Sequence, residues 1–248
     1  MRTRKPKTAL VTGGASGMGR EVALALAAIG MSVFPADLNL DGARETAEMA
    51  GRLGGRAEGL EVDVSRSDST AALFSRLKKL IPELDMVVHA AAVMGGTANL
   101  EDITDQDWRR LIAVNLDGTF FCCREAVRWM KETGGGRIVL FSSVAALTPT
   151  PGAIGYSAAK GGVNMLARSL AVEAARSNIR VNVIAPGYVE TPMLAGLPDG
   201  FRDFVIRKTP LKRLGEPREI AGLAAFPASD EADFITGQVL SPNGGLVI

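Results

Sequence analysis

A short apolar run at 8–11 leads into the string Gly13-Gly14-Ala15-Ser16-Gly17-Met18-Gly19, after which Glu21-Val22-Ala23-Leu24-Ala25-Leu26 reads as a helix. Gly30 stops that helix, 31–36 predicts a second buried strand, and Asp37 falls at its C-terminal end, completing a βαβ unit. The alternation continues with a polar helix near 41–52, a strand at 60–62, a helix near 67–80 and a strand at 85–89. Met86, Val87 and Val88 are apolar at successive positions, which suits a parallel strand covered by helices on both faces. One long helix over 105–131, stopped by Gly134-Gly135-Gly136, precedes a strand at 138–141 with Ser142 and Ser143 at its exit. A helix at 156–175 and a strand at 179–184 follow, closed by Pro186-Gly187. The segment 188–214 has no steady period and reads as a substrate cap, with Met193, Leu194, Leu197 and Phe201 as its apolar wall or, alternatively, as the packing of a short helical cap, before a helix at 217–226 and a short strand near 238–240. No repeat or linker divides the chain, and every unit can extend one sheet. The expectation is α/β: a single-domain, Rossmann-like, doubly wound parallel sheet in three layers (α/β/α) over 1–248.

Composition narrows the function. The 248 residues carry 28 Lys plus Arg against 27 Asp plus Glu, a net charge of +1 that argues against a nucleic-acid-binding domain. The 28 glycines follow no three-residue period, which excludes collagen and directs attention to turns. No apolar run is long enough to cross a membrane, and the basic Met1-Arg2-Thr3-Arg4-Lys5-Pro6-Lys7 lacks the apolar core of a signal peptide behind it. The two cysteines, Cys122 and Cys123, are adjacent; that spacing fits neither a metal site nor a disulfide framework, so they read as buried small hydrophobes in a reducing, cytoplasmic setting. Trp108 and Trp129 read as helix packing or subunit contacts, and no metal ligand set is expected.

In the glycine string, Gly13 permits a tight exit from the strand, Gly17 a close backbone approach to a diphosphate, and Gly19 close helix packing, with Ser16 and Met18 facing the same cofactor. The string lacks the Lys and hydroxyl residue of an ATP-type phosphate loop. Asp37 can accept hydrogen bonds from both adenine-ribose hydroxyls and would repel a 2′-phosphate, which favours NAD over NADP; Arg20 and the N-terminal basic residues are the complicating charges. Asp63 can meet the adenine amino group and Val64 the base, with a plain strand-end cap as the alternative.

Tyr156-Ser157-Ala158-Ala159-Lys160 puts Tyr156 and Lys160 on one helical face. Together with Ser143, Asn115, the glycine string and Pro186-Gly187, this order and spacing resembles the classical short-chain dehydrogenase/reductase family over nearly the whole chain. The resemblance implies that Tyr156 is the general acid/base, that Ser143 polarises the substrate oxygen, and that Lys160 holds the nicotinamide ribose while lowering the tyrosine pKa. It assigns Asn115 a water-mediated proton path. It also implies nicotinamide contacts from Val189 and Thr191, and backbone contacts from Ala90 and Ala91 to adenine and ribose. A homotetramer is expected, with a dimer as the alternative. One departure stands at His89-Ala90-Ala91-Ala92, where the family usually has Asn-Asn-Ala-Gly. A loop-supporting role for His89 is preferred here to a proton shuttle. The activity implied is interconversion of a small secondary alcohol and a ketone with NAD. Reduction of a 3-oxoacyl thioester and nucleotide sensing without turnover are the alternatives.

Overall fold

A computed structural model describes residues 7–196 and 200–248; 1–6, with most of the basic N-terminal string, and Leu197 of the expected cap lie outside the described residues. Seven strands form one sheet in the order β3-β2-β1-β4-β5-β6-β7, and every pairing is parallel. They are β1 (Thr8–Thr12), β2 (Ser32–Asp37), β3 (Leu60–Glu61), β4 (Met86–His89), β5 (Gly136–Phe141), β6 (Ile179–Ile184) and β7 (Val239–Leu240). Among the described residues eight α-helices connect or flank them: α1 (Gly17–Ala28), α2 (Leu40–Gly51), α3 (Ser67–Leu80), α4 (Asp105–Ile112), α5 (Gly118–Thr133), α6 (Ile154–Ala174), α7 (Phe201–Lys208) and α8 (Pro217–Ala225).

Strand residues alternate between two buried cores. Leu10, Val87, Leu140 and Val183 pack with residues of α3, α5 and α6, whereas Val11, Val88, Val139 and Ile184 pack with α1 and α8. Burial on both faces explains the unbroken apolar runs in the central strands. The chain leaves β1 for β2 on one side and resumes at β4 on the other, so a crevice opens at the carboxyl ends of β1 and β4, where open α/β sheets bind ligands.

The single long helix expected over 105–131 is helical backbone throughout, with α4 and α5 as its two α-wound parts. Between α4 and α5 lies one π turn, Ala113–Asp117, with Asn115 buried inside it. Widening by one residue per turn barely alters the hydrophobic period, so the break leaves little trace in the residue pattern. Asn115 explains the distortion physically: its side chain accepts from Val93 N–H at 2.9 Å and donates to the Val93 carbonyl at 2.8 Å, tying the turn to the segment after β4. Gly134 then ends α5 in the left-handed region, φ 92°, as expected of the glycine triplet.

Candidate active site

At the exit of β1, Gly13 adopts φ +71°, and a Cβ there would lie 2.6 Å from the Ala91 nitrogen. A Cβ on Gly19 would lie 2.1 Å from the Gly13 carbonyl oxygen. These two glycines let the loop close on itself and against Ala90 and Ala91, which follow β4. Gly17 looks the other way, its φ +54° and the Thr191 methyl 3.6 Å from where a Cβ would sit. Residues distant in sequence, 13 with 90–91 and 17 with 191, are thus brought together. Ser16 precedes α1 in extended backbone, exposed, and its hydroxyl makes no capping bond. The first N–H groups of α1 and this free hydroxyl form a cradle suited to a diphosphate, and Gly17 presents no Cβ there.

Asp37 braces the same loop. Its carboxylate accepts from Ala15 N–H at 3.1 Å and Asn39 N–H at 3.0 Å. Arg20 is committed elsewhere, to the Ala15 carbonyl at 2.6 Å, Thr46 Oγ1 at 3.0 Å and Glu45 Oε2 at 2.6 Å. One Asp63 oxygen caps Ser65, accepting from its N–H at 3.0 Å and its hydroxyl at 2.6 Å, while Val64 is buried in the core beside Gly118. The strand-end cap reading of this pair therefore has direct contacts behind it.

Ser143 stands two residues past β5, accepts from Ala145 N–H at 3.2 Å and lies close enough to Tyr156 to favour its ionised form. Tyr156 and Lys160 lie one turn apart on α6, with Lys160 Nζ 5.7 Å from the Tyr156 ring centroid. The ammonium is buried and donates to the Phe141 carbonyl at 2.8 Å. Burial lowers the Lys160 pKa to about 8. Burial also raises the Tyr156 phenol to about 12, opposed by the Ser143 hydrogen bond and reinforced by Tyr188. For the protein chain alone burial sets the direction, opposite to the lowering by Lys160 that the family resemblance implies.

One cavity, about 610 Å³ including its open mouth, is lined by Ser143, Tyr156, Met18, Val189 and Thr191 together. Met94, Thr150 and Tyr188 also line it beside Met193 and Leu194, and residue order assigns none of the three a specific contact. Tyr188 carried one usable signal, its place immediately after Pro186-Gly187. Phe201, expected on the cap's apolar wall, instead packs edge-on against Tyr188, with ring centroids 5.5 Å apart. Asn115 is held to Val93 by both side-chain atoms, and its carbonyl accepts from Thr119 Oγ1 at 2.8 Å. Cys122 and Cys123 are buried free thiols whose pKa values burial raises. Among the described residues no cluster of metal-ligating side chains occurs, and no helix is long and apolar enough to cross a membrane.

A family model described as enoyl-(acyl carrier protein) reductase matches residues 13–247. The chain belongs to the short-chain dehydrogenase/reductase family. It is 40% identical over 239 residues to cis-4-hydroxycyclohexanecarboxylate dehydrogenase of Sinomonas cyclohexanicum, covering 96% of each chain. It is 35% identical to the 3-oxoacyl-[acyl-carrier-protein] reductase of Thermotoga maritima, covering 98% of each. A solved short-chain type dehydrogenase/reductase from Mycobacterium marinum superposes with a TM-score of 0.93 at 30% identity, covering 97% of this chain and 95% of that one. As a short-chain dehydrogenase/reductase, the protein is an oxidoreductase of the alcohol dehydrogenase type that works with a nicotinamide cofactor. Within this family frame, the departure at His89 has a definite structural setting: Nδ1 lies 2.8 Å from Thr12 Oγ1, linking β4 to β1 beneath the glycine loop.

Proposed function

We propose that this short-chain dehydrogenase/reductase interconverts a secondary alcohol and a ketone with NAD, with Tyr156 as general acid/base. The observation that carries this reading is the single cavity shared by Ser143 and Tyr156 with Met18, Val189 and Thr191. When bound, the nicotinamide dinucleotide accepts or returns the hydride. In oxidation, Tyr156 as phenolate takes the alcohol O–H proton while the carbinol carbon is oxidised; in reduction, the phenol gives the proton back. Ser143 donates to the substrate oxygen as its charge changes, and Lys160 binds the nicotinamide ribose and supplies positive charge beside Tyr156. Asn115 acts by holding Val93 and the loop after β4, with any water path running past the π turn.

The preference for NAD is supported by the Asp37 carboxylate at the end of β2 and by Arg20, whose Nε and Nη2 are engaged by Ala15, Thr46 and Glu45. Gly13, Ser16, Gly17, Gly19, Ala90 and Ala91 form the proposed diphosphate and adenosine side, and Asp63 with Val64 its adenine end. We take 188–214 as the cap, supported by Met193 and Leu194 on the cavity wall. The apolar side chains favour a small cyclic or aliphatic substrate, in keeping with the Sinomonas relative's cyclohexane-based one. A homotetramer built through α5 and α6 is supported by the exposed Phe120, Met165 and Val172. A cytoplasmic setting fits the two free thiols.

The second reading, reduction of 3-oxoacyl thioesters, draws on the Thermotoga relative. A panel of cyclic and acyclic secondary alcohols, their ketones and a 3-oxoacyl thioester, assayed with NAD(H) and NADP(H), separates the two. Cyclic secondary alcohols with NAD are expected to give the highest kcat/KM. A thioester preferred by tenfold or more would move the assignment to the second reading.

A further inference from the structure

His89 is the chain's single histidine and closes β4. It is 2% exposed, and it shares a strand face with Val87, whose core lies beneath α5 and α6. Thr12 engages Nδ1, but Nε2 is buried with no hydrogen-bond partner among the described residues. An unpartnered polar atom this deep in a core calls for a reason. The register supplies one: His89 pairs with Leu140 across β4 and β5, and the next residue, Phe141, carries the carbonyl that receives Lys160 Nζ. Burial and the neighbouring Lys160 charge lower the His89 pKa to about 3, so the imidazole is neutral at every working pH.

A neutral imidazole has one N–H to place. On Nδ1 it is accepted by Thr12 Oγ1 and leaves an Nε2 lone pair in the field of the Lys160 ammonium. The other tautomer would set an N–H dipole against a buried cation. Resting on the proposed function above, we propose that His89 is a positioning residue for Lys160: an imidazole locked by Thr12, whose Nε2 lone pair, across one bridging water, keeps the Lys160 ammonium charged and in place beside Tyr156. The other groups on this face do not compete. Cys122, Cys123 and Tyr156 are held un-ionised by burial, Asn115 is engaged with Val93, and no carboxylate acts on His89.

The test uses the full chain carrying 15N-labelled histidine, titrated by NMR without dinucleotide or substrate; a single histidine gives a signal free of overlap. The expected spectrum has a protonated Nδ1 and an unprotonated Nε2, with an inflection of the Nε2 signal near pH 8 that disappears in Lys160→Met. A proton on Nε2, or a flat titration, overturns the proposal. In kinetics, His89→Leu should move the alkaline limb of the kcat profile down by about one pH unit, tenfold in the Lys160 ionisation constant, with KM within about twofold. His89→Gln, which restores an acceptor, should recover part of that shift. An unshifted limb in folded His89→Leu also overturns the proposal. Absence of dinucleotide-linked turnover in the wild type would instead remove the proposed function and leave the NMR result to decide the His89–Lys160 contact.

Discussion

Tyr156→Phe is expected to lower kcat about 1000-fold while changing dinucleotide affinity by no more than a few fold. The substitution removes one oxygen from a side chain that lines the cavity and leaves the ring that packs above Lys160. Positioned acid–base groups contribute about 10²–10⁴-fold, and of the two phenols that line the cavity, Tyr156 and Tyr188, it is Tyr156 that lies beside Lys160. Ser143 loses a hydrogen-bond partner but retains the Ala145 N–H. The pH dependence follows from the same group. Because burial holds the phenol near pKa 12 in the protein chain alone, Tyr156 carries its proton at neutral pH and is ready for reduction. Oxidation requires the phenolate, so its rate should climb with pH until the Lys160 ammonium, near pKa 8, begins to lose its charge. Steady-state kcat in both directions across pH checks this pattern. Activity of Tyr156→Phe within tenfold of wild type would remove the proton-transfer role.

Asp37→Asn is expected to shift the kcat/KM ratio of NAD over NADP by about 100-fold towards NADP. A carboxylate about 4 Å from a phosphate charge costs up to about 4 kcal/mol near a protein surface, and solvent ions reduce that towards the 2.7 kcal/mol equivalent to 100-fold. Asparagine keeps an acceptor for Ala15 N–H or Asn39 N–H while deleting the charge, so the loop geometry is largely preserved. Arg20 is turned towards Ala15, Thr46 and Glu45, and its charge is paired with the Glu45 carboxylate, which limits the compensation it offers. Kinetics with both dinucleotides, read as the change in ratio, provides the check. Equal use of both by the wild type would contradict the role given to Asp37.

Much of this architecture is legible in residue order because a sheet buried on both faces writes apolar runs, and each crossover writes a glycine or proline stop. The loop from Gly13 to Gly19 and the Tyr156–Lys160 spacing are local patterns, visible without tertiary knowledge. What escaped the sequence depends on distant partners. The π turn follows from Asn115 reaching Val93, 22 residues earlier. Phe201 looked like cavity wall because it is apolar and lies in the cap, yet Tyr188 takes its ring. The close approach of Gly118 in α5 to Val64 is likewise a contact between distant segments that residue order does not show. The uncompensated Nε2 of His89 is invisible in a string of letters, since only the fold shows that Thr12 satisfies one nitrogen and leaves the other.

The most direct measurement of alcohol–ketone hydride transfer uses a cyclic secondary alcohol deuterated at the carbinol carbon, incubated with the wild-type protein and NAD, with ketone and reduced dinucleotide analysed by mass spectrometry. The predicted result is ketone and reduced dinucleotide in equal amounts, with the deuterium recovered in the dinucleotide. Deuterium released to solvent, or no reduced dinucleotide with any secondary alcohol tested, would contradict the assignment.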